Sequence, residues 1–443
     1  MTLKSSLLFA SRLIFPRASV NSSARRSVLG AILCIGISLV PLVVVLSVSD
    51  GMISGMTKRI IGLGSCDIQA FLPRSGSDAK SAAALKEFSE TFSVIDGVTG
   101  IYPQIECDAL ATGKNYRTGA RVRAVNPEIF KTNDDFSKLF EVLDGSTERF
   151  SSDKKSAVIG QKMAELLSLK AGDTFRLVTT STNSSGAISP KVSVFRVAAV
   201  VSSGYQELDS LWVFIPLETG FQVIPPKSGS FSVMIKTSET YSSKLSRIQE
   251  KCEEAASGRA MVYSWKELNA SQFENFSSTK VLLLFIMFLI VLVAAVNISS
   301  ALVMLVMERR REIAILKSIG ATSSGITVSF LITGLFCALA GLCIGLPAGI
   351  ILALNSNGLI SFIEKLVNFF AKAGFVLCGG KTEVFSSVRL LDPAYYLTEI
   401  PVSVPAGEIL IICAAVILLS FVVSVLPALK AGRERPLDIF RKA

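Results

Sequence analysis

Four stretches of this 443-residue chain carry no charged side chain over lengths that can cross a lipid bilayer, and they constrain everything else about its fold. Residues 28–49 are uncharged for 22 positions and residues 281–307 for 27; residues 325–354 and 409–429 are likewise free of charge. A hydrocarbon core about 30 Å thick needs roughly 20 apolar residues in a helix. Lipid satisfies no backbone group, so each stretch must be a continuous helix. The second is long enough to tilt, or to project beyond the bilayer as a rigid stalk.

Charge orients these spans. The segments 1–27, 307–321 and 430–443 together hold 14 basic and 4 acidic residues, while the rest of the chain balances 31 basic against 31 acidic. The excess of ten positive charges therefore lies entirely beside spans, where basic residues mark the cytoplasmic side. It gives no footprint for nucleic acid, which would need a basic face on a folded domain. The reading is an α-helical membrane protein with four transmembrane helices and a large mixed α/β extracytoplasmic domain. Residues 1–27 form a cytoplasmic amphipathic segment, with Leu3, Leu7, Ala10 and Ile14 at helical spacing, and 28–49 the first span. Residues 50–278 form the outer domain and 279–307 the second span and stalk. A cytoplasmic helix at 308–321 leads to the third span at 322–354. A second outer loop at 355–408, the fourth span at 409–429 and a cytoplasmic tail at 430–443 complete the chain. Ser47-Val48-Ser49 would suit cleavage of a signal peptide, but the apolar run is too long and its leader too extended.

Within the outer domain, Ala157 to Gly160 predicts a short strand, 161–167 a helix, and 175–179, 191–201, 211–215 and 231–235 further strands. Residues 179–190, rich in Ser, Thr, Asn and Gly, predict a protruding hairpin tip, either an idle loop or a docking element. In the second outer loop, Leu359, Ile360, Ile363, Val367 and Phe370 predict an amphipathic helix. Of eight cysteines, Cys34, Cys337, Cys343 and Cys413 fall in spans. Cys66, Cys107, Cys252 and Cys378 fall outside, where they permit up to two disulfides or remain free buried thiols.

Much chemistry is excluded. The chain has no histidine, which removes zincin motifs, Ser-His-Asp triads and Cys-His dyads. No Gly-x-x-x-x-Gly-Lys-[Ser/Thr] occurs, so the chain holds no phosphate loop of that class. No charge interrupts a span, which argues against a proton relay. Asn297, Ser299 and Ser300 in the second span read as helix–helix hydrogen-bonding groups. A non-catalytic membrane subunit is expected, with no cofactor and no metal.

The segment Glu308-Arg309-Arg310-Arg311-Glu312-Ile313-Ala314-Ile315-Leu316-Lys317-Ser318-Ile319-Gly320 is a charged amphipathic helix held between two spans. Ile313, Leu316 and Ile319 predict one apolar face for a partner, flanked by the arginine cluster, and Gly320 suits a helix stop. Together with Leu292 to Ser300, this segment resembles the four-span permease subunits of ABC transporters related to MacB and FtsX, and among them the lipoprotein-releasing subunits LolC and LolE. Leu46 to Met52, Val158 to Gly160 through Leu169 to Asp173, Ser203-Gly204-Tyr205 to Leu217, Trp265 to Asn269, Asp392 to Tyr396 and Pro427 to Pro436 are similar as well. Gly432, Phe440, Ala124 and Asn126 depart from the family's usual residues.

The resemblance implies a bacterial inner-membrane protein with both termini in the cytoplasm. Its 308–320 helix would dock on a separate, LolD-like ATPase subunit, beside a second permease subunit (a copy of itself or a sister). It implies a cargo cavity for acyl chains on the first two spans, at Val44, Val48, Met52, Phe285, Phe288 and Val296. It also implies lipoprotein cargo handed to a LolA-like periplasmic carrier near Thr179, Asn183, Gly186 and Ile188, and contact with membrane lipids. MacB-like efflux and an FtsX-like signalling scaffold for cell-wall hydrolases are the alternatives.

Overall fold

The computed structural model describes residues 10, 23–73, 78–114, 116–182, 188–225, 228–377 and 401–433. Residues 1–9 and 11–22 of the leader, the segment with Asn183 and Gly186, Cys378, the motif at 392–396 and the tail after Arg433 lie outside the described residues. The chain divides into two units: a membrane unit built from residues 1–52, 276–388 and 400–443, and a domain built mainly from 53–275.

Among the described residues, four helices are long and apolar enough to cross a membrane. The first α-helix runs Ser23–Arg59, the second Ala270–Glu308, the third Ser323–Leu354 and the fourth Ala406–Arg433. The first continues well past the apolar run that ends at Ser49.

Apolar burial cannot by itself assemble helices in lipid, where a leucine gains little by leaving one apolar surface for another. Close approach of backbones does the work instead. The third helix carries Gly341, Gly345 and Gly349 at four-residue spacing, and this stripe meets the first helix. A Cβ on Gly345 would lie 2.6 Å from the carbonyl oxygen of Gly36. One on Gly341 would lie 2.7 Å from the Cβ of Ile35, and one on Gly349 2.8 Å from the Cβ of Val43. Around this seam Ile35, Leu39, Leu42, Phe330, Ala338 and Leu342 are buried. Ser329, Thr333 and Ser424, also buried, donate their hydroxyls to carbonyls one turn back (2.9, 2.9 and 2.6 Å), so none is left unsatisfied in the bundle.

The outer domain is a ten-stranded sheet: β1 Ile68–Phe71, β2 Val98–Thr112, β3 Arg117–Val125, β4 Glu141–Gly145, β5 Ser156–Gly160, β6 Thr174–Thr182, β7 Ile188–Ser202, β8 Trp212–Pro216, β9 Ser230–Thr237 and β10 Met261–Ser264. Its order is β10-β1-β9-β2-β3-β8-β5-β7-β4, with β6 bridging β2 and β7. That bridge closes β2, β3, β8, β5, β7 and β6 into a ring. Only β3 with β8 and β5 with β7 are parallel. Every residue of β5 and β8 is buried, which is why both read as short continuous apolar runs.

One cation organises the place where the first helix enters this domain. After Arg59 the chain makes a π-helical turn, Ile60–Ser65, and Arg123 on β3 reaches into it. Its guanidinium donates to the carbonyls of Leu63 and Gly64 (2.9 Å for the latter) and to Gln104 Oε1 at 2.7 Å. It also faces Glu106, its cross-strand partner, at 2.9 Å and lies 4.7 Å over the Trp212 ring. The side chain is 1% exposed. Burial pulls its pKa down, and Glu106 opposes that pull.

The thiols are structural. Cys66, Cys107 and Cys252 are free and buried, and burial pushes each up to about 12.

Three tests probe this fold. Gly345→Leu should wedge the first and third helices apart and cost about 1–3 kcal/mol, read as a lower thermal midpoint in detergent. Gly30→Ala, with nothing within 4 Å, should leave the midpoint in place. Arg123→Met strands Glu106 and two carbonyls, and should cost about 3–5 kcal/mol in denaturant titration followed by tryptophan fluorescence; both tryptophans, Trp212 and Trp265, lie in the domain. At pH 8 a thiol with a pKa near 12 is ionised to only about one part in ten thousand. Maleimide should therefore spare Cys66, Cys107 and Cys252 until the protein is denatured, and early labelling of any of them would contradict the placement.

Candidate functional site

The charged helix between the second and third spans is Arg310–Ser318. The chain leaves the second span at Arg309, whose φ of −94° and ψ of 11° break the helix. It stops at a Schellman turn: Gly320 sits at φ +102°, its N–H donates to Lys317 O (3.0 Å), and the N–H of Ala321 donates to Leu316 O (3.0 Å). Thr322 then caps the third span by accepting from Gly325 N at 3.3 Å.

The structure divides the expected apolar face. Ile313 is fully buried among the spans, together with Ala314, and so is unavailable to a partner. Leu316 is half-buried, while Ile319 (79%) and Ile315 (50%) are exposed. The face presented outward is therefore Ile315 and Ile319, one turn apart, with Leu316 beside them. Helical periodicity identifies apolar positions but not which side the bundle takes, and two apolar sides compete here. Glu308, Arg311 and Glu312 are exposed; Arg309 and Arg310 are half-buried, with Arg309 paired to Glu312. Lys317 turns the other way, donating from Nζ to the carbonyl of Gly432 at 2.6 Å, at the end of the fourth span. That cation sits where a helix C-terminus leaves its carbonyls unpaired.

Val44, Val48 and Met52 fall four residues apart along one half-buried face of the first helix. Phe285, Phe288 and Val296 lie on the second helix, 60%, 53% and 53% exposed. Two contacts tie these helices: Asn297 Nδ2 to Cys34 Sγ at 3.0 Å, and Lys280 Nζ to Asp50 Oδ1 at 3.2 Å. All six residues except Met52 lie between the two ties. Asn297 acts as the helix–helix group its sequence position implies.

Thr179 is not on the hairpin surface. It is 1% exposed, and its hydroxyl donates to Val223 O at 3.2 Å, so it belongs to the base of the β6–β7 hairpin. Ile188 opens β7. Val192 and Val194 on β7 are 56% and 52% exposed. Among the described residues no group of His, Cys, Asp or Glu could hold a metal ion.

Two features escape a reading by composition and periodicity. The glycine stripe is a small-xxx-small signal, visible in the letters Gly341, Gly345 and Gly349. The cluster of Lys280, Asp50 and Glu408 joins charges far apart in sequence and leaves no local signal.

Comparison with known proteins places these elements. Residues 28–250 match the MacB-like periplasmic core domain, and residues 284–436 match the FtsX-like permease C-terminal region. The chain is similar to the lipoprotein-releasing system transmembrane protein LolC of Xylella fastidiosa strain 9a5c, 23% identical over 78% of each chain. It is also similar to the protein of the same name from Neisseria meningitidis serogroup B, 22% identical over 92% of each. Among solved structures, the periplasmic region of MacB from Actinobacillus actinomycetemcomitans covers 48% of this chain and 94% of its own, at 14% identity and a TM-score of 0.31. With four membrane helices and both matched regions in one polypeptide, the chain belongs to the family of multi-pass permeases that join a MacB-like periplasmic core domain to an FtsX-like membrane region.

Proposed function

We propose that this chain is the membrane subunit of an ABC transporter that lifts lipid-anchored proteins out of the outer leaflet of the bacterial inner membrane. The observation that carries this reading is similarity to a LolC protein over 92% of both chains. Both termini and the 308–321 segment lie in the cytoplasm, in keeping with their basic excess. ATP is hydrolysed by a separate LolD-like subunit, and a second permease subunit completes the assembly. Ile315, Leu316 and Ile319, rimmed by Glu308, Arg311 and Glu312, form the surface on which the ATPase docks. Acyl chains of the cargo lie along Val44, Val48, Met52, Phe285, Phe288 and Val296. The exposure of Phe285, Phe288 and Val296 in the isolated chain supports a surface that lipid, cargo or a sister subunit covers. The outer domain then passes the protein to a LolA-like carrier through residues near Asn183 and Gly186.

The first test is gentle purification of the tagged chain, with its companions identified by mass spectrometry. An ATPase together with acylated lipoproteins is expected. An ATPase with a cell-wall hydrolase, or drug sensitivity as the sole defect of a deletion, would replace lipoprotein release with the signalling or efflux alternative.

The docking surface makes a sharper prediction. Leu316→Asp with Ile319→Asp should weaken ATPase association by at least about 30-fold, the loss of roughly 2 kcal/mol, while the chain still inserts. Ile313→Asp should instead destroy the folded bundle. An ATPase that co-purifies undiminished with the Leu316→Asp, Ile319→Asp variant would rule out this surface.

A further inference from the structure

Three of the four spans end their apolar runs on the outer side with a single charge. Asp50 follows the run of the first, Lys280 precedes that of the second and Glu408 precedes that of the fourth. The fold brings these three charges together. Lys280 Nζ lies 3.2 Å from Asp50 Oδ1 and makes a second, closer ion pair with Glu408 Oε1. The other Asp50 oxygen accepts from the hydroxyl of Ser403, whose backbone N–H donates to Ser47 O at 3.3 Å. The remaining Glu408 oxygen is buried and accepts no hydrogen bond. About a third or less of each of these side chains is exposed (33%, 28% and 26%). One cation thus serves two carboxylates drawn from two other helices.

That stoichiometry makes the cluster depend on Lys280. With Lys280 in place, the first, second and fourth helices are held at their outer ends. With Lys280 withdrawn, Asp50 and Glu408 face each other as like charges beside an apolar bundle, where their repulsion is weakly screened. The cluster stands at the outer end of the rows of Val44 and Val48 and of Phe285 and Phe288. We propose that Lys280 is a positioning residue, a clasp that keeps the outer mouth between the first and second spans closed and whose release opens it for cargo to leave. What passes through that mouth rests on the transport reading above; the clasp itself does not.

The experiment uses the assembled transporter with its ATPase, in membrane vesicles containing an acylated lipoprotein. Spin labels at Ser49 and Val281, in a cysteine-free background, report the spacing of the two helix ends by pulsed EPR. Lys280→Met should lengthen that spacing, and should cut lipoprotein release per ATP hydrolysed about tenfold. Lys280→Arg should keep both at the starting value. The decisive variant adds Asp50→Asn and Glu408→Gln to Lys280→Met. Removing the repulsion should bring the ends together again and restore most of the release, which a merely structural loss of contacts would not do. Spacing that ignores Lys280→Met, or that the triple substitution leaves open, would overturn the clasp. Spacing that follows the predicted order in a transporter that releases no lipoprotein would uphold the clasp and overturn the cargo assignment instead.

Discussion

Arg123 carries a positive charge to a place that water does not reach, and the outer domain is arranged around keeping it there. An uncompensated buried guanidinium would cost several kcal/mol. Here Glu106 opposes it across the β2–β3 pair, Gln104 accepts from it, and the Trp212 and Phe214 rings face it from β8. Two further bonds go to the carbonyls of Leu63 and Gly64 at the π-helical turn. The charge therefore joins three strands and the end of the first long helix at one point. A second buried charge works nearby: Asp67, 0% exposed, accepts from the backbone and hydroxyl of Thr237 at 2.6 and 3.1 Å, fixing β1 against the end of β9.

The membrane unit is assembled by different means. Its seams are glycine and hydroxyl rather than bulk, because in lipid the gain comes from close backbone approach rather than from burying apolar surface. Gly36 against Gly345 brings the first and third helices into backbone contact. Large apolar side chains point mostly outward along the second helix, where Val281, Leu282, Phe285 and Phe288 are each more than half exposed. A soluble bundle would reverse that distribution. Polar pairs between spans, such as Asn297 with Cys34 and Lys280 with Asp50 and Glu408, sit where they fix register.

Local pattern made much of this legible. The run from Ala157 to Thr179 reads as strand, helix, turn and strand in letters alone, and the structure follows with β5, the helix Gln161–Leu167 and β6. The amphipathic stretch from Leu359 to Phe370 falls inside the helix Ser356–Leu377. What stayed hidden depends on pairing across the sequence. Thr179 resembles a hairpin-tip residue because it begins a polar run, yet β6 continues to Thr182 and carries it into the domain's base. Ile313 resembles a docking residue because it shares a period with Leu316 and Ile319, yet the bundle claims it first. Arg123 gives no signal at all, since an arginine alternating with Val122 and Ala124 is what an exposed strand position looks like. Its burial follows only once Glu106, Leu63 and Gly64 meet around it.

The helix Arg310–Ser318 ties the proposed ATPase contact to the spans at more points than its own two ends. By chain continuity it leads from the second span into the third. Through Ile313 and Ala314 it is buried in the bundle, and through Lys317 it holds the carbonyl of Gly432 near the end of the fourth span. At the same place Gly432 admits the first turn of the third helix at Thr327 so closely that no side chain could stand there. A push on Ile315 and Ile319 would thus meet three spans packed as one body at their inner ends. The Lys280 cluster gathers the first, second and fourth at their outer ends. Interiors packed this tightly switch between arrangements more readily than they bend. If the transport cycle proposed above is driven from the inner end, the clasp requires these outer ion pairs to be the contacts that give way.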